Sequence, residues 1–326
     1  MTKQNVLSVL LRAQQSVSGE QLCRELGISR AAVWKAIDQL RRDGYAIEAA
    51  PRRGYRLTGR PDRLEREQIE SALHGHPWQG RTAVFASVDS TNNVCKRLAA
   101  EGAPEGTAVL SVTQSAGRGR RGRTFISPEG GLYCSVLLRP KAQPESLLHL
   151  TAMTAVAAAR AIEAVCGVYP GIKWTNDLVL NQKKLCGILT ELSIEAETRL
   201  VDYVVVGIGI NCAAAPLPAP VAEMATSLAA ETGRAVDRNA LAAALIRALY
   251  EMQQALFSGR EAWLEEFAAH CVTLGKPVQL LRGDEVRPAF ADGIDAHGAL
   301  LVTFPDGSRE AVSCGEVSVR GMYGYV

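Results

Sequence analysis

The segment Gly117-Arg-Gly-Arg-Arg-Gly-Arg123 sets four arginines within seven residues of a 326-residue chain. Guanidinium groups fork the oxygens of phosphates and carboxylates, and interspersed glycines let a backbone approach an anion closely, so the segment reads as an anion-wrapping loop. With Thr124 it lies one residue away from a phosphate-binding G-x-x-x-x-G-K-[ST] loop, Arg123 standing at the lysine. The context rejects that match: a phosphate loop opens a helix, whereas Phe125-Ile-Ser-Pro128-Glu-Gly130-Gly131 leads into a strand. Composition alone leaves a solvated basic loop or an RNA-binding segment open. Without a ligand, four like charges are expected to repel and keep the loop mobile. Gly207-Ile-Gly209-Ile is not a dinucleotide fingerprint, because Cys212 stands where the third glycine belongs.

A second group of basic side chains lies near the N-terminus. Residues 1 to 63 carry 12 basic and 6 acidic side chains, a net of +6, whereas the other 263 carry 24 and 28. The overall +2 therefore hides a basic module on a mildly acidic body. Val6, Leu7, Leu10 and Leu11 recur at helical spacing. Glu20 to Leu26 forms a short second helix, and Ser29 caps a third whose apolar side is Val33, Ile37 and Leu40. Tyr45-Ala-Ile-Glu-Ala and Tyr55-Arg-Leu pair across a turn on Pro51-Arg-Arg-Gly54. Three helices and a hairpin make a winged helix-turn-helix. Ser29, Arg30, Ala31, Trp34 and Lys35 would face a major groove, with Arg52 and Arg53 on adjacent phosphates. The alternative is a charged three-helix module for protein contacts.

The elements that must carry the arginine loop follow a linker at Thr58 to Arg63. Strand-like runs occur at Val84 to Val88, Thr107 to Val112, Leu132 to Leu138, Leu178 to Leu180, Cys186 to Leu192 and Tyr203 to Ile210. Helical runs occur at Leu147 to Val165, Ala240 to Leu256 and Arg260 to Ala269. Strand following strand favours an α+β body. Gly275 to Val326 alternates in short strands, as a small β-barrel would. The eight cysteines lie at least 20 residues apart, which suits neither a zinc site nor a disulfide scaffold. With no signal-type core, and with the longest uncharged run, Tyr203 to Ala222, broken by Asn211, Pro216, Pro218 and Pro220, the expectation is a reduced, cytoplasmic protein with no membrane partner.

Six motifs in register carry a resemblance: Asp89-Ser-Thr-Asn92, Gln114-Ser-Ala-Gly117 with the arginine loop, Lys173-Trp-Thr-Asn176-Asp177, Lys184-Leu-Cys-Gly187-Ile-Leu, Gly207-Ile-Gly-Ile-Asn211 and Ala225-Thr-Ser227-Leu228. Their order resembles the biotin-protein ligases. With Ser29-Arg-Ala-Ala-Val-Trp-Lys35 the chain resembles the bacterial form that is also the biotin operon repressor.

The resemblance implies an α+β multidomain protein. Its parts are a winged helix-turn-helix over 1–62, a mixed α/β catalytic domain of the class II synthetase and lipoate ligase kind over 63–271, and an SH3-like β-barrel over 272–326. It implies that biotin and ATP form biotinyl-5'-AMP, and that the biotinyl group passes to one lysine of the biotin carboxyl carrier protein of acetyl-CoA carboxylase. Ser90, Thr91, Asn92, Gln114, Arg118, Gly119, Arg120 and Lys173 would hold biotin. Arg118, Arg120, Arg121, Arg123, Phe125, Lys173, Asn176 and Asn211 would hold ATP and the adenylate. Lys173, Arg118 and Arg120 would offset charge in the transition state, with Mg²⁺ on the triphosphate and no protein metal site. Two of these readings compete with plainer ones, since Ser90 to Asn92 could cap a helix and Phe125 could be ordinary loop packing. Asp177 is a candidate for positioning the acceptor lysine. Adenylate binding would favour a homodimer that grips operator DNA. Thr175 stands where the family commonly has proline, which removes a backbone constraint beside Lys173 but no charge. A sensor without ligase activity and a lipoate-type ligase are the competing functions.

Overall fold

The computed structural model describes residues 2–13, 15–50, 54–59, 63–282, 285–313 and 318–321. Arg52, Arg53 and Cys314 lie outside the described residues.

The N-terminal unit comprises α1 (Thr2–Arg12), α2 (Gly19–Leu26), α3 (Arg30–Arg42), β1 (Ala46–Ala50) and β2 (Gly54–Gly59). Ser18 and Ser29 occupy the N-cap positions of α2 and α3 in extended conformation, and each side chain accepts a hydrogen bond from a first-turn amide, Gln21 and Ala32. Gly27 ends α2 in the left-handed region at φ +64°, which a Cβ would strain. Val6, Leu10, Leu22, Val33, Ile37 and Leu40 form a separate small core. β1 and β2 pair antiparallel, and Val17 adds an antiparallel bridge to Tyr55. Ser29, Arg30, Ala31, Trp34 and Lys35 are all exposed on α3, Trp34 at 63%.

The central unit runs α4 (Arg66–Ala72), β3 (Thr82–Val88), α5 (Thr91–Ala100), β4 (Ala108–Gln114), β5 (Gly131–Leu138), α6 (Leu150–Cys166), β6 (Gly171–Lys173), β7 (Asp177–Leu180), β8 (Lys183–Ile194), β9 (Val201–Asn211), α7 (Ala219–Met224), α8 (Leu228–Thr232), α9 (Arg238–Gln254) and α10 (Arg260–Ala269). Its seven strands lie in the order β3-β4-β5-β9-β8-β7-β6, with β3 and β4 parallel and the remaining neighbours antiparallel. α6 and α9 pack on each other and on the sheet. The apolar stretch from Pro144 to Cys166 is long enough to cross a membrane, yet most of it is buried here as the central core helix. Its alanines pack tightly against the strands: Ala155, Ala157, Ala158 and Ala159 are wholly buried. α5 lies against β4, β5 and β9, where Val94, Cys95 and Ala99 meet Val109, Leu137 and Val205 in a second small core.

β10 (Pro277–Arg282), β11 (Glu285–Ile294), β12 (Leu300–Thr303), β13 (Arg309–Val312) and β14 (Ser318–Gly321) complete the chain. They form an antiparallel sheet in the order β13-β12-β11-β10-β14, where the sequence suggests a small barrel.

Two junctions tie these units together. α1 packs on α4, the Gln68 amide donates to the hydroxyl of buried Tyr45 at 3.2 Å, and Arg63 donates to the Asp43 carbonyl at 2.6 Å. At the other end, Ile172 of β6 bonds to His270 and Val272 at 2.9 Å each, so the segment leading to β10 covers the edge strand.

Candidate active site

The arginine loop takes a hydrogen-bonded turn. Phe125 N bonds to the Gly117 carbonyl at 2.8 Å, Gly119 N bonds to Arg123 O at 2.7 Å, and Arg118 and Thr124 form an antiparallel bridge. A short 3-10 turn spans Arg120–Gly122, with Arg121 in the left-handed region at φ +56°. Like-charge repulsion is offset by partners. Arg120 donates to the Asn176 side chain at 2.9 Å, while Arg118 donates to Asn93 at 3.1 Å and pairs with Glu191 at 3.2 Å.

This loop roofs a cavity of about 670 Å³ on the sheet face that also carries α5. Of the residues expected to meet biotin or ATP, Ser90, Thr91, Asn92, Gln114, Arg118, Gly119, Arg120, Arg121, Arg123, Phe125, Lys173 and Asn176 line it. Asn211 does not. Its amide donates to the Thr226 carbonyl at 3.0 Å, which places it as a tether for the segment after β9.

One end of the cavity is polar and closed. Thr91 donates twice to Gln114 Oε1, from its amide at 2.8 Å and its hydroxyl at 3.1 Å, and Ser135 donates within 2.8 Å of both Thr91 and Asn92. Ser90 occupies the N-cap of α5, its carbonyl accepting from the Val94 amide at 3.0 Å, but its side chain makes no cap hydrogen bond. The floor is glycine. A Cβ on Gly207 would strike the Asn92 amide, and one on Gly209 or Gly187 would strike the Phe125 ring. These three residues hold the backbone of β8 and β9 within reach of flat groups.

The other end is cationic. Lys173, only 7% exposed, closes β6, and Asn176 starts the return to β7. Trp174 between them donates its amide to Thr273 and its indole N–H to the Gly298 carbonyl, both at 3.0 Å, so the C-terminal sheet braces the strand bearing Lys173. The Trp174–Thr175 peptide is cis. Lys184, not among the residues expected to hold biotin or ATP, lines the cavity and reaches the Asp177 carboxylate at 2.6 Å, with its ammonium 5.8 Å from the Phe125 ring centre. The signal was present in the Lys184-Leu-Cys-Gly187 motif, but strand spacing alone does not say which lysine faces a cavity. Thr124, Gly187, Gly207, Gly209 and Met224 are further lining residues not singled out in advance as site residues.

Residues 84–211 match the Biotin/lipoate A/B protein ligase family, 2–56 a helix-turn-helix domain, and 273–320 the biotin protein ligase C-terminal domain. The bifunctional ligase/repressor BirA of Escherichia coli is 35% identical over 317 residues, 96% of either chain. The chain belongs to the biotin ligase/repressor family. The Bacillus subtilis bifunctional ligase/repressor BirA is 41% identical over 226 residues, 68% of this chain and 69% of that one. The biotin protein ligase from Aquifex aeolicus, solved with biotin and ATP, superposes with a TM-score of 0.64 at 29% identity, covering 74% of this chain and 99% of that chain. The arginine loop, Lys173 and the glycine floor all fall inside the part matched to the ligase family.

Proposed function

We propose that the protein joins biotin to ATP, transfers the biotinyl group to a lysine of a carboxylase carrier domain, and represses biotin genes when loaded with biotinyl-5'-AMP. The observation that carries this reading is one cavity with a closed polar end, a glycine floor and a cationic end. Biotin has the matching parts: a polar ureido group, a flat apolar bicycle and a carboxylate. The cavity volume also falls within the roughly 300–1,000 Å³ usual for small-molecule sites.

In the first step a biotin carboxylate oxygen attacks the α-phosphorus, the P–O bond to the β-phosphate breaks, and pyrophosphate leaves. Two anions must meet, so positive groups fixed beforehand lower the barrier. Lys173 and Lys184, with Arg120, Arg121 and Arg123 of the roof, supply them, while Thr91, Asn92, Gln114 and Ser90 fix the ureido end. Phe125, lying over the glycine floor, offers its ring to the adenine. Magnesium comes with the triphosphate. Asp177, the carboxylate among the described lining residues, would be the protein group to help hold it, and the ion would supply further positive charge against the triphosphate. In the second step a deprotonated carrier lysine attacks the acyl carbon and AMP leaves. The loop roof keeps water from the mixed anhydride.

The three sequence units divide this work: 1–62 for operator DNA through the exposed face of α3, 63–271 for chemistry, and 272–326 as the brace behind Trp174. β7 pairs with β8 only as far as Gly187, so the β8 edge beyond it, with exposed Leu192 and Ile194, is open to an adenylate-dependent homodimer.

Incubation with ATP, labelled biotin and a carrier domain, beside lipoate as competitor, tests the ligase reading. Label on the carrier that lipoate does not compete away is the expected result. Adenylate without transfer would indicate a sensor, and competition by lipoate a lipoate-type ligase.

A further inference from the structure

Glu191, on β8 behind the cavity wall, collects more donors than any role assigned above requires. Lys96 reaches its Oε1 at 2.6 Å and Arg118 reaches the same oxygen at 3.2 Å, while the Asn92 amide donates to Oε2 at 2.8 Å. The side chain is 17% exposed. Burial pushes its carboxyl upward, but hydrogen bonds from Lys96 and Asn92, with the charges of Lys96 and Arg118, outweigh it and hold the group below the ordinary glutamate value. A carboxylate so placed is not a solvated surface ion. Removing it would leave two cations facing each other across a part-buried gap.

The donors come from two places that must stay in register for the cavity to keep its shape. Asn92 and Lys96 belong to α5, and Asn92 also forms the polar end through Ser135. Arg118 is the first arginine of the roof, and its other terminal nitrogen bonds to Asn93, the next residue of α5. Both terminal nitrogens of the guanidinium are therefore held by protein groups, while the side chain still lines the cavity.

We propose that Glu191 is a positioning residue that clasps the Arg118 end of the arginine loop to α5 and β8, giving the loop a fixed end about which Arg120 to Arg123 close over the ligand. The clasp itself stands on geometry, and its effect on adenylate retention rests on the ligase reading. Arg118 then acts on the adenylate through Glu191, by fixing the loop.

Glu191→Gln keeps size and removes charge. In the full-length protein without ligand, trypsin should cut after Arg118, Arg120, Arg121 and Arg123 at least about fivefold faster in Glu191→Gln than in the parent, because cleavage tracks the open population of the loop. With biotin and ATP, release of biotinyl-AMP in a chase should be about tenfold faster, the scale of losing one charge-assisted hydrogen bond. Arg118→Gln should match it, the double variant should be no faster than either single one, and Glu191→Asp should recover part of the loss.

Parent-like digestion of Glu191→Gln overturns the clasp. So does a double variant in which the two effects multiply to about a hundredfold, as independent sites would. A parent that forms no adenylate sinks the ligase reading while digestion still decides the clasp. Should Glu191→Gln not fold, Arg118→Gln breaks the same contact from the loop side, and its cleavage after Arg120, Arg121 and Arg123 decides instead.

Discussion

Gly207→Ala puts one methyl group where the structure has none to spare. The Cβ would meet the Asn92 amide, which is 4% exposed and held from both ends: Oδ1 accepts from Ser135 at 2.6 Å, and Nδ2 donates to Glu191 at 2.8 Å. Asn92 cannot move aside without breaking one of these bonds. Overpacking of this kind costs about 1–3 kcal/mol, and a lost hydrogen bond to a charged group about 1.5–3 kcal/mol. Alanine recovers about 0.5–1 kcal/mol through lower backbone entropy in the unfolded chain. That recovery acts on stability alone, whereas displacement of Asn92 acts on the polar end where biotin is proposed to bind. Biotin affinity should therefore fall by about 2 kcal/mol, or roughly thirtyfold. Calorimetric titration of biotin into both proteins measures it. Gly19→Ala serves as control, since its Cβ would lie 3.7 Å from the Tyr55 ring in ordinary contact and far from the cavity. The reasoning fails if Gly207→Ala binds biotin within twofold of the parent, or if Gly19→Ala loses as much.

Lys173→Ala should slow biotinyl-AMP formation by about 10²–10³, the usual scale for removing one preorganised charge-stabilising donor, and a single-turnover assay with labelled ATP would show it. Operator binding in the presence of biotin and ATP should weaken by three to five decades between about 50 and 200 mM salt if six to ten phosphates are neutralised, while Trp34→Ala should leave that slope unchanged, gel shifts at several salt concentrations being the check. His149 is wholly buried, with Nε2 donating to the Leu256 carbonyl at 3.0 Å, and burial lowers its pKa from the ordinary 6.5. The unfolded chain then takes up a proton that the folded one refuses, so stability should fall as pH drops below 6.5, and His149→Gln should flatten that dependence in thermal unfolding between pH 7.5 and 5.5.

Elements with a strong local signal were readable before any coordinates. The apolar spacing of α1 and α3, the Ser29 cap and the long apolar α6 each depend on residues within a few turns of one another. The rejection of a phosphate-binding loop also held, because Pro128 and the paired Gly130 and Gly131 deny a helix start and β5 follows. Less legible were short helices such as α4 and α7, whose windows are too brief for periodicity to speak. The parallel pairing of β3 with β4 was hidden too, since it is made across the intervening α5. Lys184 stands in a recognised motif, yet only strand pleating decides that it, and not Lys183, lines the cavity. Asn211 was grouped with the ligand contacts by its motif, yet its amide is committed to Thr226.

Sequence by itself determined the chemical inventory: a basic winged module, a glycine-arginine loop, and a family whose motifs run in order. Those properties belong to residue types and local spacing. Tertiary structure alone decided how the inventory is spent. Arg118 and Glu191 are 73 positions apart in the chain yet form an ion pair at 3.2 Å, so Arg118 is engaged in holding the loop. Whether a charge meets a ligand or a protein partner depends on distances closed by the packing of α5, β8 and β9, and no local window of residues contains them.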